Sequence, residues 1–179
     1  MKKHTLALLL ILCASTAEAK ILKFNDLETF REVKSFYQRL EATKQPQSEI
    51  YGTYGVALLD EVNRDVNRQI RYLAESADGI QWQTPAETKK LGTGDCEDYA
   101  AAKWKVLLDN GIPETDMYFF YGTHKAINRQ HVELMVYLNG NTYYLDNDDE
   151  DITVSRINPE FLTYMLNRWG VTVYNPYKE

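Results

Sequence analysis

Cysteine is nearly absent from this sequence of 179 residues: Cys13 and Cys96 are the only two. Histidine is almost as scarce, with His4, His124 and His131. Basic clusters are missing as well. With a formal net charge of −6, the chain offers no patch suited to nucleic acid or to an anionic membrane surface. There is no internal repeat and no low-complexity segment, and past residue 19 no run is apolar enough to cross a bilayer.

The N-terminus explains part of that scarcity. Met1-Lys2-Lys3 is followed by an apolar run from Leu6 to Leu12 and then by Ala17-Glu18-Ala19. A basic start, a short apolar core and an A-x-A site read as a secretory signal peptide over residues 1–19, cut before Lys20. Leu10-Ile11-Leu12-Cys13 lacks the small residue that precedes a lipidated cysteine, which speaks against a lipoprotein anchor. The expectation is therefore an exported domain of residues 20–179, periplasmic in a Gram-negative host, with net charge −7 once Lys2, Lys3 and Glu18 are gone. Export also removes Cys13 and His4. Cys96 is then a lone thiol in an oxidising compartment, and an unpaired exported cysteine reads as a reactive one.

Periodicity divides the chain into helices followed by strands. Leu27, Phe30, Val33, Phe36, Tyr37 and Leu40 recur at helical spacing from Asn25 to about Ala42. A second helix is expected from about Gly55 to Ala77, with Val56, Leu59, Val62, Val66, Ile70 and Leu73 on one stripe and Arg or Asn on the other; this spacing is core packing. Thr84-Pro85-Ala86-Glu87 reads as a capped start of a short helix, and Trp82 before it as either a site wall or a core shield. The pattern then changes period. Met117 to Tyr121, His131 to Leu138 and Thr142 to Leu145 are aromatic and β-branched strands, with Gly122 to Gln130 a polar loop. A last helix, about Pro159 to Arg168, and a strand from Val171 to Tyr174 complete an α+β order.

The chemistry centres on Gly92-Thr93-Gly94-Asp95-Cys96. An Ala-rich helix runs from Cys96 to Asp109 and stops at Asn110-Gly111-Ile112-Pro113. A thiol at a helix N-terminus meets free backbone N–H groups and the positive end of the dipole, which favour a thiolate and can hold an oxyanion. A small buried cysteine on an apolar face is the plainer alternative.

A thiol nucleophile needs a base, and the base an orienting carboxylate. Asn139-Gly140 between two strand runs signals a two-residue hairpin, so that Leu138 pairs with Asn141 and paired positions sum to 279. Glu133 then faces Asp146, and His131 becomes Asp146's diagonal neighbour on the same face, about 7–8 Å away at Cα. Val132, Leu134, Val136 and Leu138 take the opposite, apolar face. Cys96, His131 and Asp146 thus fill the roles of nucleophile, base and orienter, while His124 reads as a surface histidine.

Asp95, Glu97 and Asp98 crowd the thiol, and their charges oppose a thiolate. They are either acids satisfying a helix start or oxygen ligands of a hard cation, Ca²⁺ being abundant outside the cytoplasm. The run Asp148-Asp149-Glu150-Asp151 reads as a solvated turn.

Gly94-Asp95-Cys96-Glu97-Asp98-Tyr99-Ala100-Ala101-Ala102-Lys103, Trp82-Gln83-Thr84-Pro85-Ala86-Glu87, His131 opening a strand and Leu145-Asp146-Asn147 closing the next resemble the bacterial transglutaminase-like cysteine peptidases over about Tyr54 to Asn147. The resemblance implies a papain/transglutaminase-like fold, with N-terminal helices and the nucleophile helix packed on a small antiparallel sheet. It also implies Cys96, His131 and Asp146 as the catalytic triad and Asp95, Glu97 and Asp98 as calcium ligands. Such enzymes clip a large cell-surface adhesin near its N-terminus at a di-alanine site, controlling biofilm attachment and release. An inner-membrane receptor that senses cyclic diguanylate holds them inactive. Glu133 departs from the pattern, standing where an apolar residue is expected. A transglutaminase-type acyl transferase would use the same triad, and a silent calcium-binding module would not need Cys96 at all.

Overall fold

A computed structural model describes residues 27–41, 55–74, 82–124, 129–154, 163–168 and 170–174. The expected signal peptide lies outside them. In chain order come α1 (Leu27–Glu41), α2 (Val56–Gln69), β1 (Arg71–Tyr72), α3 (Pro85–Leu91), β2 (Thr93–Gly94) and α4 (Cys96–Asp109). A single 3-10 turn then leads to β3 (Met117–His124), β4 (Arg129–Leu138), β5 (Asn141–Leu145), β6 (Thr153–Val154), β7 (Thr163–Asn167) and β8 (Gly170–Tyr174). Among the described residues, helices and an antiparallel six-stranded sheet of order β6-β5-β4-β3-β7-β8 form the α+β architecture expected. Helix α4 packs across β4, and α2 packs on α4.

Between them sits an aromatic core. Phe36 and Tyr37 of α1, Trp104 of α4, Phe119 of β3 and Trp82 are all at most 5% exposed. Their ring centroids lie 4.9–6.4 Å apart, mostly edge to face, an arrangement worth about 0.5–1.5 kcal/mol per pair beyond the area buried. Trp82 is therefore a core residue and lines no site wall.

Three expected elements differ from the structure. The second helix stops at Gln69, because Ile70 turns extended (φ −106°, ψ 131°) and the chain beyond it joins a parallel ribbon. In that ribbon Arg71 N–H donates to Gly92 O at 3.0 Å and Leu73 N–H to Gly94 O at 2.9 Å. Tertiary pairing overrides an apolar stripe that would have carried the helix further. The polar loop between β3 and β4 is shorter than expected, since the ladder runs on to His124↔Arg129. Of the expected last helix, residues 163–167 form β7, an internal strand between β3 and β8; residues 159–162 are outside the described set. Thr163-Tyr164-Met165-Leu166-Asn167 has strand propensity enough to complete two ladders, and that pairing outweighs the local spacing.

The β4–β5 hairpin matches the register read from its turn: Leu138↔Asn141 and Leu134↔Leu145 pair. Asn139 (φ 53°) and Gly140 (φ 80°) supply the two left-handed residues that such a turn demands. Val132, Leu134 and Val136 face the core while Tyr137 is exposed.

Candidate active site

The turn before α4 is clamped from three directions. The β1–β2 ribbon holds its backbone, and the Tyr99 hydroxyl donates to Ile70 O at 2.5 Å. The third clamp is Asp98, fully buried. Its Oδ1 accepts from Gln83 N–H at 2.8 Å and its Oδ2 from Asp95 N–H at 3.3 Å, a capping box that stitches the segment before α3 to the start of α4. Gly94 makes room for it: a Cβ there would stand 2.6 Å from Asp98 Cβ.

Cys96 begins the helix, half-buried. Its thiol donates to Glu97 Oε2 at 3.1 Å. Burial pushes the thiol pKa well up, and the Glu97 charge, the hydrogen bond to Glu97 and the Asp95 charge push the same way; the Val132 backbone N–H at the sulfur opposes them. Helix α4, which Cys96 begins, packs across β4, the strand that carries His131. Glu97 itself is pushed up to about 8, first by burial and then by the Asp95 charge. Asp95 Oδ1 and Glu97 Oε1 are buried with no hydrogen-bond donor.

On the sheet side, His131 Nε2 and Asp146 Oδ1 are 2.9 Å apart, as the hairpin register expects. Burial would depress His131, but the hydrogen bond and charge of Asp146, then Glu133 and Asp148, raise it. Burial would raise Asp146, yet His131, the Asp148 N–H and Lys103 hold it below the ordinary carboxylate value. Asp148 N–H donates to Asp146 Oδ1 at 3.0 Å. The metal-capable atoms of His131, Glu133 and Asp146 all lie within 4.8 Å of one another. His124 ends β3, two ladder pairs away from the Gly122↔His131 pair.

Two contributors escaped the sequence reading. Asn67 Nδ2 donates to the carbonyls of Asp146 and Asp149 at 3.0 Å each, and Asn63 Nδ2 to those of Asp149 and Glu150 at 2.9 and 3.1 Å. Only their i, i+4 spacing on α2 hinted at a shared task. Asp149 and Glu150 are thereby tied down, and Arg64 pairs with Asp151 at 2.9 Å, so this acidic run is docked on α2 and is more than a solvated turn. The second is Lys103, a lysine with no exposed surface.

The family described as "Bacterial transglutaminase-like cysteine proteinase BTLCP" matches residues 36–165. No curated protein sequence matches the chain. Among solved structures, calcium-bound LapG of Legionella pneumophila is similar at 22% identity and TM-score 0.60, over 83% of this chain and 93% of that one. An EGTA-treated form of the same protein is similar at 22% identity and TM-score 0.60, over 81% and 77%. A further LapG structure from that organism matches at 23% identity and TM-score 0.58, over 78% and 76%. These similarities concern the fold.

Proposed function

The chain belongs to the bacterial transglutaminase-like cysteine proteinases, and on that premise we propose that it is an exported, calcium-dependent endopeptidase in which Cys96 is the nucleophile, His131 the general base and Asp146 its orienter. The observation that carries this reading is the His131–Asp146 hydrogen bond, made from the strand across which the helix that Cys96 begins is packed.

In this reading His131 takes the thiol proton as Sγ attacks the scissile carbonyl, and Asp146 steadies the imidazolium that results. Backbone N–H groups at the start of α4 face the developing oxyanion. The tetrahedral intermediate collapses as His131 returns the proton to the departing amine. Water, deprotonated by His131, then hydrolyses the thioester and frees Cys96.

The acids flanking Cys96 suit a hard cation. Asp95 Oδ1 and Glu97 Oε1 are buried carboxylate oxygens without donors, and such oxygens are what Ca²⁺ takes as ligands. We assign Asp95 and Glu97 to hold it, with Asp98 shaping the turn and offering its remaining lone pairs. Bound there, calcium would supply the positive charge that offsets the carboxylates around the thiol. One of the similar LapG structures is described as calcium-bound and another as EGTA-treated, which supports calcium as the cation.

By family resemblance the substrate is the N-terminal region of a large exported adhesin with a di-alanine site, cleaved in biofilm control. The inhibitory partner is an inner-membrane receptor for cyclic diguanylate. Residues 1–19 would be removed on export to the periplasm. Among the described residues no helix is long and apolar enough to cross a membrane.

The test is mass spectrometry of a recombinant N-terminal adhesin fragment incubated with residues 20–179 and Ca²⁺. Two fragments meeting at one hydrolysed bond, absent with Cys96→Ala, support the endopeptidase. Products joined to an added amine would make it an acyl transferase. An intact substrate with folded, calcium-loaded protein would sink both, leaving a binding module.

A further inference from the structure

Lys103 has no role in the mechanism above, yet burying a lysine completely is costly unless its charge is met. It lies seven residues after Cys96, two turns along the same face of α4, and has no exposed surface. Its Nζ donates to Leu145 O at 3.3 Å, the carbonyl immediately before Asp146. The Tyr99 ring stands beneath it, 6.0 Å from Nζ to centroid. The charged groups that act on it are Asp146 just after β5, Glu133 from β4 and Asp148 from the segment that follows.

Two carboxylates, Glu133 and Asp146, crowd one imidazole with their ligand atoms within 4.8 Å. Left alone, a pair of buried like charges drives one member to take up a proton. If Asp146 were that member, His131 would lose the charge that steadies its imidazolium. An ammonium behind Asp146 removes the conflict.

We propose that Lys103 is a positioning residue for the reaction: anchored on the Leu145 carbonyl, its ammonium holds the end of β5 in place and keeps Asp146 ionised beside Glu133, so that Asp146 goes on holding the His131 ring. This also gives Glu133 an account. It is tolerated in place of an apolar residue because Lys103 offsets its charge. Burial pulls Lys103 down to about 7, against the pull of Asp146, Glu133 and Asp148, so the ammonium persists where Asp146 is charged and the pH is below neutral.

The inference rests on the protease reading, and the experiment separates the two. It uses calcium-loaded protein and two variants, Lys103→Gln, which keeps a donor for Leu145 O without the charge, and Lys103→Met/Glu133→Leu, which replaces the buried pair by apolar groups. The first readout needs no substrate: the far-downfield imidazole N–H proton of His131 in the NMR spectrum, a signature of its bond to an ionised carboxylate. It should be present in the wild type, lost or moved upfield in Lys103→Gln, and at least partly restored in Lys103→Met/Glu133→Leu, where Asp146 no longer faces a like charge. On the adhesin fragment, kcat of Lys103→Gln should fall at least about tenfold with KM little changed. A folded Lys103→Gln that keeps both the resonance and kcat overturns the proposal, as does a folded double variant that restores neither. Independently of any variant, ¹⁵N spectra of lysine side chains in the wild type at pH 6 should show Lys103 as an ammonium, and a neutral amine there overturns it too. If the resonance responds to Lys103 but the wild type cleaves nothing, proteolysis fails and the positioning role stands.

Discussion

At Cys96 two physical effects pull against each other, and their sizes decide the state of the thiol. A helix N-terminus favours an anion by about 0.3–1 kcal/mol at an exposed site. Burial and the adjacent Glu97 oppose it more strongly, and the thiol rests as a donor to Glu97. In chelator, iodoacetamide should therefore alkylate Cys96 slowly, and added Ca²⁺ should accelerate it. Equal rates with and without the ion would remove calcium from the account. His131→Ala should lower kcat by about 10²–10⁴, the usual worth of a positioned base, whereas His124→Ala should be near neutral; the reverse result would discredit the hairpin pairing. The His131–Asp146 pair also has a pH signature. Asp146, ordinarily 3.8 and lowered here, stabilises the fold above that value and ceases to as pH falls through its folded value. His131, ordinarily 6.5 and raised here, stabilises below that value and ceases to as pH rises through its folded value. The stability difference between wild type and Asp146→Asn, from urea midpoints, should thus be largest between about pH 4 and 6.5. A difference flat across that range would mean the pair contributes nothing.

Elements show which parts of this molecule are legible in its residues. The β4–β5 hairpin is, because a two-residue turn sets the pairing of every residue beyond it, and that alone brings His131 to Asp146. The capped start of α3 is equally local: Thr84 accepts from Glu87 N–H and Glu87 from Thr84 N–H. Thr84→Ala should cost about 1 kcal/mol in thermal or urea unfolding. What escaped depends on partners distant in the chain. Ile70 and Arg71 leave the helix to meet Tyr99 and Gly92, and residues 163–167 become a strand because β3 lies beside them. Lys103, Asn63 and Asn67 look like ordinary helix polar residues until β5 and its following segment dock on them. Asn67→Leu tests that docking. It removes the side-chain donor to the Asp146 carbonyl and leaves Asn63 on that of Asp149, so it should depress kcat more than it lowers the melting temperature. An unchanged kcat would show that Asp146 is held without α2.

For the whole molecule, the two halves of the proposed site belong to different layers, the Cys96 thiol to the helices and the His131–Asp146 pair to the sheet. A cation that binds only the native arrangement stabilises it by mass action. Calorimetric titration should find calcium binding to wild type and not to Asp95→Ala, with a rise in melting temperature for the wild type alone. No binding to the wild type would leave Asp95, Glu97 and Asp98 as capping residues. N-terminal sequencing of exported protein should begin at Lys20, and an unprocessed Met1 would refute the signal peptide.

The Cys96–Glu97 hydrogen bond carries one more consequence, concerning redox chemistry. Oxidants and disulfides attack a thiolate, and a protonated thiol is nearly inert to them. An exported protein with one unpaired cysteine would otherwise be exposed to mixed disulfides from the moment it reached an oxidising compartment. With its proton held by burial and by Glu97, Cys96 would pass through such a compartment shielded. The group that damps its reactivity is a carboxylate assigned here to calcium, so oxidative vulnerability and enzymatic competence should arrive together.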